Sequence, residues 1–352
     1  MEMESKVCFD DVLLVPKYSE IQSRKEVDIS TSLGEGLDFS LPIISSPMDT
    51  VTEAPMAKAM MQAGGLGIIH RYNAIEKQRE LLERFFSATT RRLGTIGVAI
   101  GATGDYLERA KELFFVAKEH NRKILFCIDV AHGHHLNVKL ALESLKGKVD
   151  DIHVMVGNIA TGNGYINLIK WGADSIKTGV GGGSTCITRI ETGHGVPTLQ
   201  SVMDCEYVRR VQDIKGIPII ADGGIRNSGD IVKALAGGAS AVMLGSVLAG
   251  TMESPGEVIS SEGKMRKTFR GMASTSAQMD WRGYFSSNEG VETTIPYKGN
   301  VEPILKHLEQ GIKSGFSYSG ARSLEDFRHK ASFIKQSHAG IKESNPHILA
   351  RD

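Results

Sequence analysis

The chain of 352 residues is poor in the features that mark specialised protein classes. Its four cysteines (Cys8, Cys127, Cys186, Cys205) are scattered and form no CxxC pair, which excludes a zinc ribbon, a thioredoxin-like site and a disulfide framework. It has no net charge, with 41 basic against 41 acidic side chains, so it lacks the electrostatic footprint of a nucleic-acid binder. No apolar run approaches the roughly 18 residues of a membrane span, and the charged Met1–Lys17 stretch lacks the apolar core of a signal peptide. The expectation is a soluble, cytoplasmic protein with no nucleic-acid or membrane partner. What is present is a 41% hydrophobic content, enough for a large core, and 39 glycines without a repeat, enough for many tight turns.

Eight short β-rich apolar runs recur: Pro42–Ser46, Leu66–His70, Thr95–Ile100, Ile124–Asp129, Ile152–Asn158, Ser175–Gly179, Ile217–Asp222 and Ala241–Ser246. Helical periodicity lies between most of them, as in Asp105–Lys118 (Leu107, Ala110, Leu113, Phe114, Ala117) and Gly229–Gly237. Short buried strands alternating with helices imply a parallel sheet. Eight units imply a (β/α)₈ TIM barrel in a single domain, with an open doubly wound sheet as the alternative. The barrel is preferred because polar residues follow many different strands. On this reading residues 1–40 form an N-terminal cap and 41–250 the barrel core. Residues 251–300 form a long irregular flap or active-site loop, and 301–352 a C-terminal barrel-closing segment that opens with a helical pattern at Val301, Ile304, Leu305, Leu308 and Ile312.

Chemistry concentrates where these runs end. Gly179–Arg189 contains three consecutive glycines, whose backbone N–H groups can form an anion nest, then Ser184 and Cys186. A thiolate at that position could attack an electrophilic carbon, although an isolated cysteine also reads as a small buried side chain. Asp222, at a strand end, can accept from ribose hydroxyls, and Gly223-Gly224 allows close phosphate approach. Gly245-Ser246 ends the last strand, where barrel enzymes bind phosphate. Together these point to a nucleoside monophosphate, against the plainer reading of helix caps. Asp129 and Asn158 end two further strands and suit a second ligand. His132, His134 and His135 match neither HExxH nor a facial triad. His70, Arg71 and Glu289 carry no signal by themselves.

The motifs Phe9–Pro16, Ser46–Glu53, Gly179–Arg189, Ala221–Asp230, Gly245–Gly256 and Arg270–Met272 together resemble the IMP dehydrogenase/GMP reductase family over nearly the whole chain. The resemblance implies a barrel assembled as a homotetramer. It also implies attack of a cysteine on C2 of a purine nucleoside 5′-monophosphate, with NAD or NADP alongside. Cys186 would be the nucleophile, with Thr188 and Glu289 as its polar pair. Gly183, Ser184, Gly224, Gly245 and Ser246 would hold the phosphate and Asp222 the ribose. Met48 would pack near the base, with Gly271 and Met272 on the same side. Asp129, Asn158, Gly179 and Gly181 match the cofactor side. Gly181, Gly183, Cys186 and Glu343 match a monovalent-cation (potassium) site.

Within the family, Arg282-Gly283-Tyr284-Phe285 is similar to the dehydrogenase's mobile catalytic pair, here Arg282 and Tyr284, and Ala339–Ser344 is similar to its cation-binding tail. Arg71 stands where reductases carry a lysine. These features lead to an expected IMP dehydrogenase activity. A GMP reductase, or an inactive nucleotide-binding homologue, is the alternative. The flap from Met272 to Glu289 is closer to reductase length, and Ala74 to Arg92 leaves no room for the regulatory CBS pair. Gly182 replaces the usual proline, and Phe269 replaces a tyrosine that donates to phosphate, a loss on the order of 1 kcal/mol.

Overall fold

The computed structural model describes residues 4–89, 95–212, 217–261 and 263–346. Arg92 and the outer ends of the cap and tail lie outside them. Eight parallel strands close into a barrel: Ile43–Ser45, Leu66–Ile69, Ile96–Ile100, Ile124–Asp129, His153–Ile159, Ser175–Thr178, Ile219–Asp222 and Ala241–Leu244. The last strand pairs with the first through Val242↔Ile43, so the ring closes within the core segment. All eight apolar runs are therefore barrel strands.

Strand periodicity sorts the side chains. Along Ile124–Asp129, Leu125 and Cys127 join the interior cluster, while Phe126 and Ile128 pack against the surrounding helices. Both faces are buried, which is why the strands read as continuous apolar runs. The surrounding helices follow a 3.6-residue period. Tyr106–Glu119 buries Ala110, Leu113, Val116 and Ala117. It also buries Arg109, whose guanidinium is held by Asp105, Gln78 and Asn73.

The N-terminal segment reaches into the barrel. A hairpin of Thr31–Ser32 and Asp38–Phe39 brings Leu33, Leu37 and Phe39 into the interior cluster with Leu125, Met155 and Ile220. A Cβ on Gly34 would lie 3.2 Å from His153 Nδ1, at the first residue of the fifth strand, so this plug occupies the N-terminal mouth. The opposite, C-terminal mouth is left for the site. Val12–Leu14 pairs with Phe333–Lys335, tying the two ends of the chain together.

Residues 251–300 differ from the irregular stretch expected. Strands Ile259–Ser261, Lys264–Arg270 and Glu292–Pro296 form an antiparallel sheet, and helix Thr275–Arg282 spans its far end. The strands are rich in Lys, Arg and Thr with only every second residue of the central one buried, so they lack the apolar runs that marked the barrel. The helical pattern beginning at Val301 forms Glu302–Tyr318, which buries Leu305, Leu308, Ile312 and Phe316. No helix of the described residues is long and apolar enough to cross a membrane.

Candidate active site

The loop after the sixth strand lies over the C-terminal mouth and is clipped to a distant segment. Ile187 N donates to Glu289 O (2.9 Å), Val291 N donates to Thr185 O (2.9 Å), and Cys186 and Gly290 form a β-bridge. Glu289 N in turn donates to Ala273 O (3.0 Å). These bonds join the ends of the 272–289 flap to the cysteine loop. They also set a chain of side chains: Cys186 Sγ donates to Thr188 Oγ1 (3.1 Å), which donates to Glu289 Oε2 (2.7 Å). The arrangement can take a proton from the thiol and hold it on a carboxylate.

The other cysteines have no such setting. Cys127 and Cys205 are buried, and desolvation pushes both thiols up to about 12. Cys8 donates to Asp11 in the N-terminal segment, and burial raises its pKa. Among the described cysteines, Cys186 alone lines the cavity of about 240 Å³ at the C-terminal mouth.

That cavity brings together Cys186, Thr188, Glu289, Asp222, Asp129, Asn158, Met48, Gly179, Gly181, Gly183, Gly271 and Met272, all expected from the sequence. Ser184, Gly224, Gly245 and Ser246 do not line it. Ser184 is exposed. Gly224 packs beside the Gly182 carbonyl, and Gly245 packs against Met48, where an added Cβ would lie 3.1 Å from its sulfur. Gly223 has φ +92°, and its Cβ would sit 3.0 Å from Gly183 N, so the cysteine loop and the loop after the seventh strand touch backbone to backbone.

Two expected groups of residues are not gathered at this cavity within the single chain. Arg282 and Tyr284 do not line the Cys186 cavity. Arg282 donates to Gln278 Oε1 (2.6 Å), Ser286 Oγ (2.9 Å) and Tyr284 O (3.1 Å), and stacks over the exposed Tyr284 ring. Gly283 (φ +75°) ends the helix between them, and Arg282 lines a neighbouring cavity instead. Nor does one chain gather Gly181, Gly183, Cys186 and Glu343. Glu343 ends helix His338–Glu343, whose lead-in residue Gln336 is bonded to the backbone of Asp10 and Asp11, and it does not line the Cys186 cavity.

The main residue missed is Lys177. Its ammonium is buried and bonded to Asp129 Oδ1 (2.6 Å) and Asp222 Oδ2 (3.0 Å). A lysine inside a short, otherwise buried strand was the available signal, because a buried charge demands partners. A second cavity, about 310 Å³, adjoins the first through Arg71, Tyr72, Val130, Ala131, Ala273 and Glu289. Over it Tyr72 packs on Trp281 at 4.5 Å between centroids, with Arg71 against both rings. The histidines are divided: His132 and His135 line this cavity, His135 also caps a helix through Asn137 N, and His134 is bonded to Asn167.

Residues 6–347 match the family model described as IMP dehydrogenase / GMP reductase domain. The chain is 35% identical to the inosine-5′-monophosphate dehydrogenase of Nitrosopumilus maritimus over 99% of both sequences, in an alignment of 481 residues, so that relative carries a sizeable stretch with no counterpart here. It is 39% identical to the Cryptosporidium parvum enzyme of the same name, covering 96% of this chain and 94% of that one. It is 32% identical to the GMP reductase of Leishmania major, covering 97% of each. Among solved structures it is similar to a GMP reductase variant from Trypanosoma brucei in complex with guanosine 5′-monophosphate, with TM-score 0.89, 30% identity and 98% of each chain covered.

Proposed function

The chain belongs to the IMP dehydrogenase / GMP reductase family, and within it we propose that it converts a purine nucleoside 5′-monophosphate at C2 through a covalent bond to Cys186, in the reductive, deaminating sense. The observation that carries this reading is the chain Cys186–Thr188–Glu289, set at the cavity without help from Arg282 or Tyr284. A dehydrogenase must hydrolyse its covalent product, and its flap must bring a base to the thiol's side. Here the candidate base, Arg282, is held by three acceptors of its own turn. Reductive deamination needs one proton moved from thiol to leaving amine, which the observed chain supplies.

In the first step Cys186 Sγ bonds to C2 of the guanine base while its proton passes through Thr188 to Glu289. Glu289 then returns that proton to the 2-amino group, the C2–N bond breaks with its electron pair on nitrogen, and ammonia leaves. Asp222 accepts from the ribose, and the backbone N–H groups of the cysteine loop face the phosphate. A reduced nicotinamide dinucleotide, when bound, would supply the hydride that replaces the amine at C2, and the C2–S bond would then break with its electron pair on Cys186 Sγ.

The residues present fit such a cofactor. Asn158 Oδ1 is buried without a partner, ready to accept from a ring carboxamide. The adjoining cavity offers the Tyr72 and Trp281 rings, together with Arg71, Arg282, His132 and His135. Its outer acid, Asp105, is already held by Arg109 at 2.6 Å. That balance favours the phosphorylated dinucleotide, NADPH. The same reading includes a homotetramer, checked by light scattering, and a potassium ion on the Gly181–Cys186 loop, checked by the salt dependence of turnover.

The second reading is an IMP dehydrogenase, favoured by the 35% and 39% identities to enzymes of that name. Paired absorbance assays separate the two. Loss of NADPH absorbance with GMP is the expected result. Appearance of NADH with IMP, NAD and potassium, and no reaction in the first assay, would overturn the reductive sense.

A further inference from the structure

Lys177 is absent from the steps above, yet the fold makes space for it at the centre of the site. It stands on the sixth strand, and its ammonium is bonded to carboxylates that end the fourth and seventh strands, Asp129 and Asp222. The side chain is 1% exposed, against 23% for Asp129 and 18% for Asp222. Gly157 on the fifth strand leaves room for the stem, because a Cβ there would collide with Lys177 Cβ. Asn158 Nδ2 braces the same Asp222 oxygen at 2.9 Å. Burial alone would drive an ammonium neutral, but the two carboxylates outweigh it and hold Lys177 charged. Among the described residues nothing donates to Asp222 Oδ1 or Asp129 Oδ2, so each carboxylate keeps one oxygen for a ligand.

We infer that Lys177 is a positioning residue that couples nucleotide binding to cofactor binding, by sharing one buried ammonium between Asp222 on the nucleotide side and Asp129 on the cofactor side. This rests on the reading above for those two carboxylates. The two compete for one cation. When ribose hydroxyls donate to Asp222, that carboxylate becomes a weaker acceptor for Lys177, and the ammonium shifts toward Asp129. Asp129, drawn onto the ammonium, becomes in the same way a weaker acceptor for cofactor hydroxyls. Linkage makes the effect reciprocal, so nucleotide and cofactor each weaken the other by the same factor.

The test is the cofactor dissociation constant, measured by titration calorimetry with and without saturating nucleotide, for GMP and IMP against NADPH and NADH. It needs no turnover. For the unaltered protein the nucleotide is expected to weaken the cofactor by about 5-fold, and tightening would overturn the inference. In Lys177→Met the factor should fall to about 1, and Lys177→Arg, which keeps the charge, should restore most of it. A purely structural lysine would lower the melting temperature in Lys177→Met and leave the factor unchanged. Should Lys177→Met not fold, Asp129→Asn provides the second variant, since it removes one of the two competitors and should also abolish the coupling. Independent binding in the unaltered protein, or a factor retained in Lys177→Met or Asp129→Asn, overturns the inference alone. Failure of every nucleotide to bind overturns the functional reading together with it.

Discussion

At the residue scale, chemistry was legible wherever a reactive group sat beside its supporting backbone in sequence. Cys186 follows three glycines within five positions, and Asp222 precedes two. The cysteine's partner was not legible in this way, because Glu289 comes from 101 positions beyond Thr188 and reads alone as an ordinary loop carboxylate. Family resemblance supplied that pair, and the fold places it at 2.7 Å. The contrast among cysteines yields a sharp expectation. Cys186→Ala should lower turnover by several orders of magnitude while nucleotide affinity stays within a few-fold, because the methyl side chain leaves Asp222 and the loop backbone in place. Intact-protein mass spectrometry should show a nucleotide adduct before substitution and none after it. Substantial residual turnover would remove the covalent step, since Cys127 and Cys205 are too deeply buried to substitute.

At the element scale, all eight barrel strands were legible because both faces of each are buried and the run stays apolar. The sheet over 259–296 was hidden for the opposite reason. Arg266, Lys267 and Arg270 are polar by sequence but buried or half-buried in fact, with Lys267 bonded to the Thr251 and Ser254 carbonyls and Arg270 to Asp49 and Asp280. This sheet is the frame that carries Glu289 to the thiol, so its own close contacts matter for rate. Gly290 is a tight joint beside Glu289. A Cβ there would sit 2.9 Å from Ser274 N and 3.3 Å from Gly271 Cα, both backbone. Gly290→Val should therefore push Glu289 away from Thr188. The expected result is a fall in kcat of about 10²-fold, the scale of an ångström-sized misplacement, with nucleotide affinity little changed. Steady-state kinetics beside nucleotide calorimetry check this. Equal losses in kcat and affinity would mean that the whole pocket had moved and that the bridge is not a specific support for Glu289.

At the scale of the whole molecule, the barrel divides its two mouths between function and stability. The C-terminal mouth carries the cavity, and the N-terminal mouth is stoppered by the hairpin bearing Leu33, Leu37 and Phe39. A cap before the first barrel strand is legible in the sequence, but the mouth it covers is not, since that depends on contacts between residues far apart in the chain. His153 marks the joint. It begins the fifth strand beside Gly34, its Nε2 lies 2.8 Å from Ser175 Oγ, and burial lowers its pKa to about 4 despite the opposing pull of Asp174. The ordinary value is 6.5, which the unfolded chain recovers. Above pH 7 the imidazole is neutral in both states and contributes no pH dependence. As pH falls from about 6.5 toward 4, the unfolded chain binds a proton that the folded chain refuses, so stability drops. At pH 5 this single group should cost on the order of 2 kcal/mol. Urea unfolding of the unaltered protein and of His153→Gln at pH 7.5 and pH 5.0 isolates it, because other groups titrate alike in both. The variant, which can still hydrogen-bond Ser175, should lose less stability between the two pH values by about that amount. Parallel losses would mean that His153 is protonated in the folded protein, and that the stoppered mouth is open enough to hydrate a charge.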